Sequence, residues 1–181
     1  MGPFKLGITG SIGMGKTQTA SFFKDEGIPV WDADKTVHSL YKKGEEGYNE
    51  IKKLSESYVN KKEVDTKKIL EDMSVKQNLL QELEGKIHPI VKRKRLDFIE
   101  EHSDYPILSF DIPLLFESGD VDWLDSVLVV KASIKEQERR VLKRGRMTRE
   151  QFRKFNSKQI DIEEKCRLAN FIIDTDLGLD H

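Results

Sequence analysis

The 181-residue chain has a single cysteine, Cys166. It can form no intramolecular disulfide, which fits a reducing compartment and excludes the disulfide-stapled scaffolds. Within EEKCRLANF the thiol reads as a packed structural group. Net charge is nearly absent too: 31 Lys+Arg against 32 Asp+Glu leave a formal −1. A domain that grips nucleic acid through bulk charge carries a clear basic excess, so that class is set aside. No apolar run approaches the roughly 18 residues of a membrane span. No charged start followed by an apolar stretch opens the chain, so no secretory signal is expected. Leu6 stands where N-myristoylation needs Ser or Thr. Repeats, low-complexity segments and a heptad seam are also missing. These absences predict a cytoplasmic monomer or weak homo-oligomer that does not act on membranes or nucleic acid.

Hydrophobic residues make up 37% of the chain and charged residues 35%, which predicts a charge-rich surface with long solvated helices. The length suits one domain with a small insert or lid. Short apolar runs predict strands at Phe4–Thr9, Ile28–Trp31, Pro106–Phe110, Ser126–Val130 and Phe171–Asp174. Helical patterns separate them, so a parallel sheet covered on both faces is expected. Residues 45–104 differ. They are rich in Lys and Glu with apolar residues at helical spacing, and they predict several amphipathic helices and no strand. A last helix of this segment is expected to start near Pro89, since proline suits a first turn.

Gly10-Ser11-Ile12-Gly13-Met14-Gly15-Lys16-Thr17 matches G-x-x-x-x-G-K-[ST] at every fixed position, with a strand before it and a helix after it. Glycines let successive N–H groups point inward, and the helix N-terminus adds partial positive charge. Lys16 is placed to reach the β- and γ-phosphates, and the Thr17 hydroxyl to ligate Mg²⁺. The motif predicts a nucleoside triphosphate site without fixing the base or the acceptor. Asp32 and Asp34 follow the second strand, where ligands of open parallel sheets gather. Asp34 either faces that site or caps the helix that follows. Asp111 ends the third strand, a position suited to organising Mg²⁺. Gln137, Arg139, Arg140, Lys143, Arg144, Arg146 and Arg149 cluster after the fourth strand. Arg140 and Arg144 share one helix face and could grip phosphate oxygens, with Gly145 as the break a lid needs. Lys92-Arg93-Lys94-Arg95 reads either as a solvated face or as a partial ligand contact.

Several segments, in order and over nearly the whole chain, resemble the dephospho-CoA kinase family. They are Thr9–Thr17, then Gly27-Ile28-Pro29-Val30-Trp31-Asp32-Ala33-Asp34, then His88-Pro89-Ile90-Val91 and Asp111-Ile112-Pro113-Leu114-Leu115-Phe116-Glu117. The spaced Gln137, Arg140, Arg144 and the later Gln159 complete the set. The resemblance implies an α/β, three-layer P-loop kinase fold with a five-stranded parallel sheet, a helical substrate-binding insert and a lid. It divides the chain into a core (1–44, 105–134 and 160–181), an insert (45–104) and a lid (135–159). It implies ATP-dependent phosphorylation of the ribose 3′-hydroxyl of dephospho-CoA, with Mg²⁺, to give coenzyme A and ADP. The same resemblance implies catalytic roles for Asp34, Lys16 and Arg140, and ATP binding by Gly10 through Thr17 and Arg144. It also implies that Asp34, His88, Pro113, Leu114 and Leu115 meet the acceptor and that Thr17, Asp34 and Asp111 attend the metal. A backbone-bonded helix start is the alternative for His88.

The chain departs from the family pattern in three ways. It is shorter than most members. Asp65-Thr66 stands where Asp-Arg is common, and Ile173-Asp174-Thr175 where Ile-Asp-Asn is common. A kinase of the same fold acting on a nucleoside monophosphate or another small alcohol is the alternative. A guanine-reading switch would need Asn-Lys-x-Asp, and the nearest string, Asn60-Lys61-Lys62-Glu63, lacks the Asp.

Overall fold

The computed structural model describes residues 2–145 and 147–178; Arg146 of the basic cluster lies outside them. The chain divides into two compact units, one running through Asp32 and resuming at His102, the other spanning Ala33–Glu101.

The first unit is built on five parallel strands, β1 (Phe4–Thr9), β2 (Val30–Asp32), β3 (Ile107–Asp111), β4 (Ser126–Lys131) and β5 (Phe171–Asp174), in the order β2-β3-β1-β4-β5. Helices α1 (Lys16–Asp25), α6 (Leu115–Ser118), α7 (Ile134–Lys143), α8 (Arg149–Asn156) and α9 (Ile162–Leu168) belong to the same unit. β1 lies at the centre, and β3 and β4 flank it. The connections leaving β1 and β3 run to opposite sides, so their carboxyl ends frame the crevice where such sheets bind ligands.

Alternation along β4 explains the unbroken apolar run read from the sequence. Leu128 and Val130 pack with Leu6, Ile8 and Ala20 under α1. Val127 and Val129 pack with Leu115 on the other face, beside Ile162 and Cys166 of α9. Burial of these two apolar layers contributes roughly 25 cal/mol per Å² of surface removed from water. Gly7 admits that close packing: a Cβ there would lie 2.6 Å from Leu124 Cδ1. The expectation of full coverage fails at β5, where Phe171 remains 54% exposed. The flanking helices pack over β1, β3 and β4 and leave this edge strand open.

The second unit contains α2 (Ala33–Leu40), α3 (Glu46–Leu54), a 3-10 turn (Glu56–Tyr58), α4 (Thr66–Met73) and α5 (Leu79–Glu101). Its core joins Leu40, Tyr48, Ile51, Tyr58, Ile69 and Leu83 among others. α2 therefore belongs with the helices at 45–104 that composition singled out. It ends at Leu40, beyond which Lys43 donates its N–H to Lys62 O at 2.8 Å and Lys42 bridges Glu63. Short antiparallel bridges around Asn60 are the sole extended pairing here among the described residues.

Pro89 does not start a helix. It lies within α5, which runs unbroken for 23 residues. Proline there removes one i→i−4 hydrogen bond, but Gly85 and Pro89 are both exposed. Leu79, Leu83, Ile87 and Ile90 form a continuous buried stripe on both sides of it. Packing of that stripe outweighs a local helix-start signal.

Candidate active site

The loop Gly10–Gly15 leaves the end of β1 and enters α1 at Lys16. Its three glycines are required by contact as well as by backbone, Gly10 because its φ is +157° and a Cβ there would collide with Val130 O. Gly13 has φ +80°, and a Cβ there would lie 2.7 Å from Val141 Cγ2 and 3.0 Å from Gln137 O. Gly15 has φ +98°, and a Cβ there would lie 3.2 Å from Thr175 Cγ2. So α7 and the turn after β5 both press on the outside of the loop. Its N–H groups gather at the N-terminus of a ten-residue helix, an arrangement that favours anions.

Lys16 Nζ forms an ion pair with Asp111 Oδ1 at the carboxyl end of β3, and both side chains are largely withdrawn from solvent. β1 and β3 are neighbours with Ile8 opposite Asp111, which places the two groups together. Asp32 ends β2 directly opposite Asp111 in the ladder. Asp34 lies in the first turn of α2 rather than ahead of it, so it is not an N-cap residue, and it is exposed. The Thr17 hydroxyl is at the second residue of α1, also exposed.

Across the loop from Lys16, α7 supplies two anchors and one cation. Gln137, 1% exposed, donates its amide to Ile12 O at 2.9 Å and to Asn156 Oδ1 at 3.1 Å. Val141, one turn later, packs beneath Gly13. Arg140 donates Nε to Glu136 Oε1 at 2.7 Å, NH1 to Thr175 Oγ1 at 2.8 Å and NH2 to Thr175 O at 2.6 Å. Glu136 also receives two hydrogen bonds from Arg139. Those bonds first, and the Arg140 bond after them, lower its carboxyl to a pKa of about 2. Arg144 is exposed at the C-terminal end of α7, and Arg149 pairs with Glu138 at 2.5 Å. The segment read as a lid is thus fastened at Gln137, Val141 and the buried Phe152.

The turn after β3 needs a correction. Thr9 Oγ1 donates to Pro113 O at 3.1 Å, which ties it to the end of β1. Leu114 is exposed, whereas Leu115 is 1% exposed and packed against Val127 and Val129. Leu115, the first residue of α6, is therefore a core side chain rather than one exposed beside Leu114. Glu117 has a structural partner too: it pairs with Lys165 of α9 at 2.7 Å and accepts Ile160 N–H at 3.2 Å.

In the helical unit, His88 is exposed in the middle of α5, so the helix-start alternative fails for it. The run 92–95 is not one face. Arg95 is buried, while Arg93 forms an ion pair with Glu46 of α3. Cys166 is packed as expected, and burial, followed by the nearby Glu163 charge, pushes its thiol pKa up. That is the opposite of a reactive thiolate.

The first unit therefore brings together the loop, Lys16, Asp111, Arg140 and Pro113, with Leu114 exposed in the same turn. Gln137 and Thr175 are the supporting residues that sequence reasoning left without a role. One signal for Gln137 was available: it lies four residues before Val141, on the same helix face. Thr175 was marked only as a departure from the family pattern, which said nothing of its partners.

A phosphate-binding loop at the central strand, a strand-end Asp on its Lys, and a basic helix on its flank define a P-loop kinase. A family model described as dephospho-CoA kinase matches residues 4–181. The chain is 40% identical over 173 residues to a dephospho-CoA kinase of Jannaschia sp. (strain CCS1), covering 96% of this chain and 89% of that relative. Among solved structures, TT1252 from Thermus thermophilus superposes with a TM-score of 0.86 at 30% identity, covering 96% of this chain and 89% of its own. The dephospho-CoA kinase from Campylobacter jejuni superposes with a TM-score of 0.68 at 27% identity, covering 95% and 88%. The chain belongs to the dephospho-CoA kinase family. No helix among the described residues is long and apolar enough to cross a membrane.

Proposed function

We propose that this chain transfers the γ-phosphoryl group of ATP to the ribose 3′-hydroxyl of dephospho-CoA, giving coenzyme A and ADP, the last step of coenzyme A synthesis. Family membership supports the acceptor. The observation that carries the chemistry is the loop with Lys16 on Asp111 to one side and Arg140 held on Thr175 to the other.

Phosphoryl transfer needs positioning and charge stabilisation more than covalent chemistry. The N–H groups of Gly10 through Thr17 cradle the phosphates, and Lys16 leaves Asp111 to bridge the β- and γ-oxygens. Arg140 has five N–H donors, three of them used among the described residues, so two remain for equatorial oxygens of the transferring group. Arg144, exposed beyond the anchored part of α7 in the segment 135–159, reaches the phosphates. Asp34 orients or deprotonates the 3′-hydroxyl. His88, Pro113 and Leu114 line the acceptor side.

No group of three or more metal-binding side chains is gathered among the described residues. Mg²⁺ does not need one, because it takes one or two protein oxygens with phosphate and water completing its shell. Within the first unit, the Thr17 hydroxyl and the buried Asp111 carboxylate fit that sparse donor set, and Asp34 is proposed to attend the ion with them. The ion would neutralise charge shared by the β- and γ-phosphates. The reading includes a cytoplasmic enzyme, monomeric or weakly homo-oligomeric, that acts on small molecules and not on nucleic acid.

ADP formation should depend on both dephospho-CoA and Mg²⁺, and should be lost in Lys16→Ala and Asp34→Ala proteins. The proposal falls if dephospho-CoA gives no stimulation while a nucleoside monophosphate or another alcohol does. Arg140→Ala should lower kcat more than it raises KM for ATP, because its contact strengthens as transition-state charge develops.

A further inference from the structure

We propose that Thr175 is a positioning residue that sets Arg140 against the phosphate loop. The inference rests on the phosphoryl-transfer reading above and adds a residue to it. Thr175 follows β5 and continues its pairing, donating N–H to Lys131 O at 2.9 Å. Its position is therefore fixed by the sheet rather than by a free loop.

From there it meets both parts of the site. Its hydroxyl lies 2.9 Å from Met14 O and 3.2 Å from Lys131 O, and it accepts Arg140 NH1 at 2.8 Å. A hydroxyl has one proton to give, and the shorter contact directs it to Met14 O. The oxygen is then used in both directions at once, toward the loop and from the arginine. Its backbone carbonyl holds Arg140 NH2, and its methyl abuts Gly15, where a Cβ would lie 3.2 Å away. Among the described residues no hydrogen bond joins Arg140 directly to the loop. Thr175 is the residue that bonds to both.

Glu136 cannot do this job. It takes Arg140 Nε and two donors of Arg139, all on α7, so it supplies charge without referring the guanidinium to the loop. The two Arg140 donors left over are aimed by the two that Thr175 holds, since the guanidinium is planar and rigid. A small misplacement of such a group costs rate rather than ground-state affinity.

The test is a double-mutant cycle on the full chain, assayed with ATP, Mg²⁺ and dephospho-CoA. Thr175→Val keeps the shape and removes the hydroxyl. It should lower kcat about tenfold, the scale of one charge-assisted hydrogen bond, with KM for ATP changed less than about threefold. Thr175→Ser keeps the hydroxyl and should stay within about threefold of the parent. In an Arg140→Ala background, Thr175→Val should change kcat less than about twofold, because its route of action is gone. An equal loss in both backgrounds, or a Ser variant as slow as the Val variant, overturns the proposal. So does a Val variant as fast as the parent. A parent chain that does not turn over dephospho-CoA overturns the underlying reading instead. An active parent slowed by Arg140→Ala leaves that reading standing while the cycle decides Thr175.

Discussion

Replacing Gly13 by alanine tests whether α7 is truly packed against the phosphate loop. Two penalties arise at this position. The backbone is left-handed, at φ +80°, which costs a residue with a Cβ about 1–2 kcal/mol. The new Cβ would also lie 2.7 Å from Val141 Cγ2 and 3.0 Å from Gln137 O. Val141 and Gln137 are both buried and cannot swing into solvent. Overpacking of that kind costs about 1–3 kcal/mol. The sum is about 2–5 kcal/mol, or a fall in Tm of about 4–20 °C at 2–4 °C per kcal/mol for a chain this long. Gly27→Ala is the matched control, with φ +77° but nothing within 4 Å of its Cβ. It should show the backbone penalty alone, a fall of about 2–8 °C. Thermal denaturation of both variants, without and with ATP, measures the difference. Gly13→Ala should melt below Gly27→Ala and bind ATP more weakly. Equal melting temperatures would refute the packing of α7 on the loop.

Two further outcomes follow from the ion pairs. Glu117→Gln should destabilise by about 3–5 kcal/mol, the cost of leaving a buried charge unpaired, because Lys165 has no exposed side-chain surface. Chemical denaturation reads it, and replacing both residues with apolar ones should recover most of the loss. A Glu117→Gln loss below about 1 kcal/mol would contradict the assignment of Glu117 as structural. The Glu136 carboxyl is lowered from 4.5 to about 2, chiefly by Arg139 and then by Arg140. A lowered carboxyl contributes stability that is complete above its unfolded pKa and lost as pH falls through the folded one. The Tm advantage of the parent over Glu136→Gln should hold at pH 6 and shrink between pH 4.5 and 2. A gap that stays constant through that window would count against the Glu136–Arg139–Arg140 cluster.

What the sequence made legible was what is local. The loop and the strands are short segments whose glycines and apolar runs specify them without distant partners, so β1 to β5 were readable. Pro89 misled because a proline at a helix start is a local signal, while the stripe from Leu79 to Ile90 that carries α5 past it is a packing effect. Leu115 misled for a related reason. A motif position says that a residue belongs to the turn, not that its side chain packs into the core against Val127 and Val129. Thr175 showed in the sequence only as a departure from the family pattern; its role was not readable because its bond to Met14 spans 161 residues of sequence. Gln137 was half visible, since its helix face was readable but its partner, Ile12, was not.

The central claim is tested most directly by the identity of the product. The purified chain, given ATP, Mg²⁺ and dephospho-CoA, can be followed by ³¹P NMR. A new phosphomonoester signal coupled to the ribose 3′ proton, growing in step with the β-phosphate signal of ADP and absent from the Asp34→Ala protein, is the expected result. ADP that accumulates without a 3′-phosphomonoester, or a phosphoryl group found on another acceptor, would contradict the account.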